Sequence, residues 1–184
     1  ADLVYVNRVF QGDAFSRMGN AYNALTSRDP KLAAIGFVWS PLPILALIPF
    51  VSVRQVAPSL VTMAFGSNLV SAACMAGFVV VIFRTLQEQG VAVRVRYALV
   101  ALLALNPLVL VYGANGMSEA MFLLTLAFTA QHLARWLADG ETRTLITVGL
   151  ALAASYLTRY ESAATIVLVI IVVGAVTLRR EPGA

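Results

Sequence analysis

Five stretches of this chain carry enough apolar sequence to cross a bilayer, roughly residues 56–83, 97–113, 118–136, 143–158 and 161–178. Hydrocarbon offers no partner for backbone N–H and C=O groups, so a crossing segment must satisfy them internally as a helix of about 17–25 residues. The shorter stretches reach that length by drawing on their flanks. Alternating segments of about ten residues, the mark of a membrane β-barrel, are absent. Composition agrees, with 60% of residues hydrophobic and only 12% charged, where a soluble domain has about half and a quarter. The sequence predicts an all-α, multi-pass transmembrane helical bundle.

The connections between these stretches sort by charge. One carries Arg84, Arg94 and Arg96, another Arg135 and Arg143, and the tail Arg179 and Arg180. The intervening connections, 114–117 and 159–160, hold a single basic residue, Arg159. Arginine-rich loops stay in the cytoplasm. The N-terminal segment, Asn115 to Glu119 and Arg159 to Glu161 are therefore predicted to share the outer side.

Residues 1–54 read as an external segment and residues 55–184 as the transmembrane bundle. Within the first, Ala14, Met18, Ala21, Tyr22 and Leu25 recur at spacings of three and four, which predicts a helix over 13–28 lying in the interface. Arg17, Asn20 and Ser27 fall largely off its apolar face. Residues 34–53 are apolar enough to cross, but Pro41, Pro43 and Pro49 interrupt any straight helix. A crossing there would also place Asp13 on the opposite side from Glu119. The segment is predicted to be a second membrane-parallel or re-entrant helix on the outer face, with Trp39 at headgroup level.

Several function classes fall away. Cys74 is alone in an apolar run, as a small buried residue, and His132 is the only histidine, so zinc sites have no ligand set. The net charge of +4 is spread over loops beside apolar runs, which is membrane orientation and not a nucleic-acid surface.

The outer side collects Asp13 in Gly12-Asp13-Ala14, Glu119 after Asn115-Gly116-Met117-Ser118, and the triplet Arg159-Tyr160-Glu161. Charge beside hydrocarbon is costly unless it is paired or faces a polar cavity. Asp13 reads either as a helix cap or as a general base. Glu119 reads as an ordinary first-turn acid or as an orienting group. Arg159 offers forked donors suited to a phosphate, but an internal pair with Glu161 or Glu119 satisfies it equally. Arg17 and Lys31 are weaker phosphate candidates, because interfacial helices carry basic residues for lipid headgroups.

The ordered motifs GDAFSR, GFVWSPLP, NPLVLVYGANGMSEAMFLL and LTRYE resemble the type C glycosyltransferase superfamily. The likeness is to its bacterial branch related to protein O-mannosyltransferases and aminoarabinose transferases, and it covers nearly the whole chain. The resemblance implies the N-terminal half of such an enzyme, without its first transmembrane helix. It further implies transfer of a sugar from a polyprenyl-phosphate donor to an extracytoplasmic acceptor, with inversion. On the matching positions, Asp13 is the loop acid expected as general base and Glu119 the acid after the third family span. Arg159 and Glu161, with Arg17 and Lys31, fall to the donor phosphate and sugar, and Asn115 and Tyr160 to support. Relatives often carry two acids together in the first loop and a Lys before their Pro-Pro-Leu. Here Asp13 stands between Gly12 and Ala14, and Ser40 precedes Pro41.

The expected function is thus a membrane hexosyl- or mannosyl-type transferase without a cofactor, a divalent metal being disfavoured by the single loop acid. Its partners are the lipid-linked donor, the bilayer and the remainder of the enzyme, which the fragment would need for activity. Arginine supplies all but one, Lys31, of the 13 basic residues, which suggests a bacterial plasma membrane. The rivals are a transporter or flippase, which would carry mid-helix charge and paired broken helices, and a non-catalytic membrane partner.

Overall fold

The computed structural model describes residues 12–35 and 39–180. All regular structure among the described residues is helical. An N-terminal group comprises α1 (Gly12–Thr26), a 3-10 turn (Leu32–Ile35), α2 (Pro41–Leu45), α3 (Ile48–Ser52) and α4 (Ser59–Thr62). A bundle follows: α5 (Phe65–Glu88), α6 (Val93–Ala104), α7 (Pro107–Ala114), α8 (Glu119–Asp139), α9 (Thr142–Thr158) and α10 (Ala163–Arg180), with a 3-10 turn at Tyr160–Ser162 before α10.

The helix predicted over 13–28 forms over Gly12–Thr26. Ala14, Met18, Ala21 and Ala24 are buried, while Tyr22 and Leu25 are exposed. Met18 and Ala21 pack with Ile35, Ile44, Leu47, Val51 and Ala64 into a small core of their own. Two expectations fail here. The helix starts at Gly12, so Asp13 sits inside its first turn and is not its cap. Arg17 is buried, only 7% exposed, because Trp39 and the α2 region close over the flank of α1 that its periodicity assigns to solvent.

The described residues of 34–53 form no continuous helix. Pro41 and Pro49 each stand in the first turn of a separate five-residue helix, where a missing N–H costs nothing. The predicted span over 56–83 begins only at Phe65, after Ala64 turns the chain with a left-handed φ of 49°. That conformation is strained for a residue with a Cβ. The predicted span over 97–113 is two helices bent by 58°. The bend follows from Asn106, whose side chain accepts from Leu108 N at 2.9 Å and starts a new helix with Pro107 in its first turn.

Two helices among the described residues are long and apolar enough to cross a membrane, Phe65–Glu88 and Tyr160–Arg180, and the bent pair makes a third if counted as one span. That is fewer than the five expected by hydropathy. The two remaining stretches are helical, but α9 has 17 residues and α8 carries Glu119, Arg135 and Asp139 within its 21.

Helix α8 packs against both α5 and α9. Gly77 allows the first contact, since a Cβ there would lie 3.2 Å from Leu124 Cδ1. One end of the bundle is pinned by Glu88, which accepts from Arg135 Nε at 2.9 Å and from Gln131 Nε2 at 3.0 Å. Arg180 closes the same end by donating to Leu137 O at 2.6 Å and stacking over Trp136. Cys74 on α5 is half-buried, not enclosed as a small core residue.

Candidate functional site

At the opposite end, polar side chains of α5 tie down the segment that leads into α8. Asn68 Nδ2 donates to Ala114 O, and Ser71 Oγ donates to Met117 O at 2.9 Å. Ser67 Oγ reaches Ala14 O at 3.4 Å, which fastens α1 to the same helix. Asn115 Oδ1 accepts from Met117 N at 3.0 Å, so this predicted supporting residue shapes the turn and does not line the site. The turn depends on Gly116, whose φ of 75° suits a residue without a Cβ. An added Cβ would sit 3.0 Å from Ser67 Cβ and 3.1 Å from Ala14 Cβ.

This packing sets the first residue of α8, Glu119, opposite the junction between α9 and α10. Arg159 adopts an extended conformation there (φ −153°, ψ 131°), which breaks the helix and turns its side chain toward Glu119. Arg159 Nη1 donates to Glu119 Oε1 at 2.6 Å and its Nη2 to Glu161 Oε1 at 2.9 Å. The two carboxylates hold this guanidinium above its ordinary pKa, the Glu161 hydrogen bond contributing most among the raising causes. Glu119 Oε2 and Ser118 Oγ are buried without a hydrogen-bond partner. Ser118 precedes α8 but donates no side-chain cap.

The three clusters picked out by sequence meet in one cleft of about 330 Å³, lined by Asp13, Arg17, Trp39, Ser40, Met117, Ser118, Glu119, Arg159, Tyr160 and Glu161. Arg17 Nη2 lies 3.7 Å from Asp13 Oδ2, and its Cζ stands 5.2 Å from the centroid of the Trp39 ring. Burial pushes Arg17 below its ordinary pKa, with Asp13 and Glu119 opposing the shift. Tyr160 meets Tyr156 edge-on at 5.4 Å. Lys31 is not among the lining residues: it is exposed and pairs with Asp29 at 2.5 Å. Trp39 is among the residues that line the cleft. No three His, Cys, Asp or Glu side chains among the described residues group as metal ligands.

The cleft therefore joins two guanidiniums and three carboxylates at one end of the helical bundle. The chain's own sequence places it further. Residues 60–181, more than half of the chain, match the model of a family described as dolichyl-phosphate-mannose-protein mannosyltransferase. The chain belongs to that family. It is accordingly a membrane glycosyltransferase of the mannosyltransferase type. The match takes in Glu119 and Arg159 to Glu161, whereas Asp13, Arg17 and Trp39 precede it. No curated protein and no solved structure matches the chain.

Proposed function

We propose that the chain builds the reaction cleft of an inverting glycosyltransferase, which passes a sugar from a polyprenyl-phosphate donor to an acceptor outside the cytoplasm. The observation that carries this reading is the convergence of Asp13, Glu119 and Arg159 from three separate segments on one cleft. In the reaction the acceptor oxygen attacks the anomeric carbon while the carbon–oxygen bond to phosphate breaks. The acceptor proton passes to Asp13, and the lipid phosphate leaves with the electron pair. The leaving charge falls to Arg159, whose planar fork suits phosphate oxygens.

Arg159 reaches the phosphate by exchanging one of its acids. Glu161 is 65% exposed and Glu119 only 22%. The better solvated partner is the cheaper to release, so Glu161 yields to phosphate while Glu119 keeps the guanidinium in place. Tyr160 supports the junction, and Lys31, paired away from the cleft, takes no part. The bilayer holds the donor's lipid tail, and the remainder of the enzyme supplies the acceptor side. No cofactor enters this scheme, the enzyme's place being a bacterial plasma membrane with the cleft outward.

The test is a transfer assay with the enzyme in lipid vesicles and a panel of labelled polyprenyl-phosphate sugars. Transfer of one of them with inversion at the anomeric carbon is the expected result. Retention, or labelled donor crossing the bilayer unreacted, would overturn the reading.

A further inference from the structure

Arg17 is the only charged side chain in the buried class among the described residues. Its Nε and Nη1 are enclosed without hydrogen-bond partners, and its two evident contacts are Asp13 at 3.7 Å and the face of Trp39 at 5.2 Å. A phosphate ligand presents its N–H fork to the solvent from which the substrate comes. Here Nε and Nη1 are enclosed and Nη2 faces Asp13, whose side chain is 42% exposed.

We infer that Arg17 is a positioning residue for Asp13, supported from behind by the Trp39 ring, and not a ligand of the donor phosphate. The inference rests on the reading of Asp13 as general base. A first-turn Asp open to solvent samples several rotamers. A buried guanidinium one helical turn away draws one carboxylate oxygen inward and leaves the other for the acceptor proton. The cation needs its own support, because a buried charge with a single long carboxylate contact is costly. The electron-rich face of Trp39 supplies it. Inversion gives a second reason. The acceptor and the leaving phosphate occupy opposite faces of the anomeric carbon, so a guanidinium within 3.7 Å of the base is on the wrong side to hold the leaving oxygen.

The experiment measures steady-state kinetics of the intact enzyme in lipid vesicles, with Trp39 replaced by its mono-, di- and trifluorinated analogues. Fluorination empties the ring face with little change of shape, so a role in packing alone would not register. The expected result is a stepwise fall in kcat, reaching roughly 3- to 30-fold for the trifluoro ring, with the donor KM unmoved. Arg17→Gln should lower kcat by about 10- to 100-fold, the cost of a misplaced catalytic group, again at constant donor KM. Arg17→Lys should recover part of the loss. A flat kcat across the fluorinated series, or a rise in donor KM at constant kcat in Arg17→Gln, overturns the inference. Asp13→Asn separates this from failure of the base assignment. If that variant turns over normally the base assignment falls, whereas if it is inactive while the Trp39 and Arg17 series are flat, only the positioning role falls.

Discussion

Arg159 Nη1 donates to Glu119 Oε1 at 2.6 Å, joining the residue that ends α9 to the residue that begins α8. The same guanidinium reaches Glu161 on its other arm, so one planar group holds two acids in fixed directions. A lysine keeps the charge but is a point donor, and cannot hold Glu119 with one arm while turning another from Glu161 to the phosphate. Arg159→Lys is expected to lower transfer by roughly 10², comparable to the loss of one oxyanion donor. Donor binding should weaken too, while stability changes by less than about 1 kcal/mol because the pairs are partly solvated. Normal kinetics in a well-expressed Arg159→Lys enzyme would reduce the triplet to a structural clasp.

Asp13→Asn is expected to cut kcat by roughly 10²–10⁴, the usual share of a general base. Its effect on stability follows from the position of Asp13 inside the first turn, opposite a buried guanidinium. Asn cannot neutralise Arg17, so the variant should lose on the order of 1–2 kcal/mol. That is below the cost of breaking a fully buried pair, because Asp13 remains partly hydrated. Thermal melting in detergent alongside the transfer assay reads both quantities. A loss of stability with full turnover would make Asp13 a structural counter-ion.

Gly116→Ala should damage the site without touching a charged residue. Its left-handed backbone costs a residue with a Cβ about 1–2 kcal/mol. The new methyl also meets Ser67 and Ala14 at 3.0–3.1 Å, which adds roughly 1–3 kcal/mol of overpacking. The strain falls on the turn that aims Glu119, so activity should drop more than the melting temperature alone explains. Gly116→Ala melting like the wild type would mean that α1 and α5 are farther from this turn than the structure places them.

The cleft was legible in the sequence because charge beside an apolar run is costly, and Asp13, Glu119 and Arg159 each stand at such a boundary. The break over 34–53 was legible for the same kind of reason, since proline cannot donate inside a helix. What pattern reading missed was tertiary. The periodicity of α1 puts Arg17 on its polar flank, but periodicity carries no record of Trp39 closing over it. A Ser before an acidic first turn reads as a cap, yet Ser118 is buried beneath the cleft and caps nothing. Lys31 reads as a weak phosphate candidate, but it pairs with Asp29, two residues away. Gly116 had a local signal in the Asn115-Gly116 dipeptide, a frequent turn former. An averaged hydropathy also does not register the Asn106-Pro107 break, which divides the stretch over 97–113 into two helices.

The final prediction concerns sidedness. Short connections rich in arginine remain in the cytoplasm, because their translocation is disfavoured. The cleft lies at one end of the bundle, and Glu88, Arg135 and Arg180 close the other. The cleft should therefore face outward and accept a lipid-linked sugar already on that leaflet. Single cysteines placed in a Cys74→Ala background report this directly. Ser27→Cys, beside the exposed end of α1, should react with a membrane-impermeant maleimide in intact cells. Ala92→Cys and Glu141→Cys are exposed at the arginine-rich end and should react only after permeabilisation. Neither substitution removes an arginine, so the charge that sets orientation is preserved. Labelling of Ala92→Cys but not Ser27→Cys in intact cells would turn the molecule over and put the transfer reaction on the cytoplasmic side. Labelling of Ser27→Cys and Ala92→Cys from opposite sides, with Glu141→Cys joining Ser27→Cys, would mean that either α8 or the bent pair α6 and α7 does not cross the membrane.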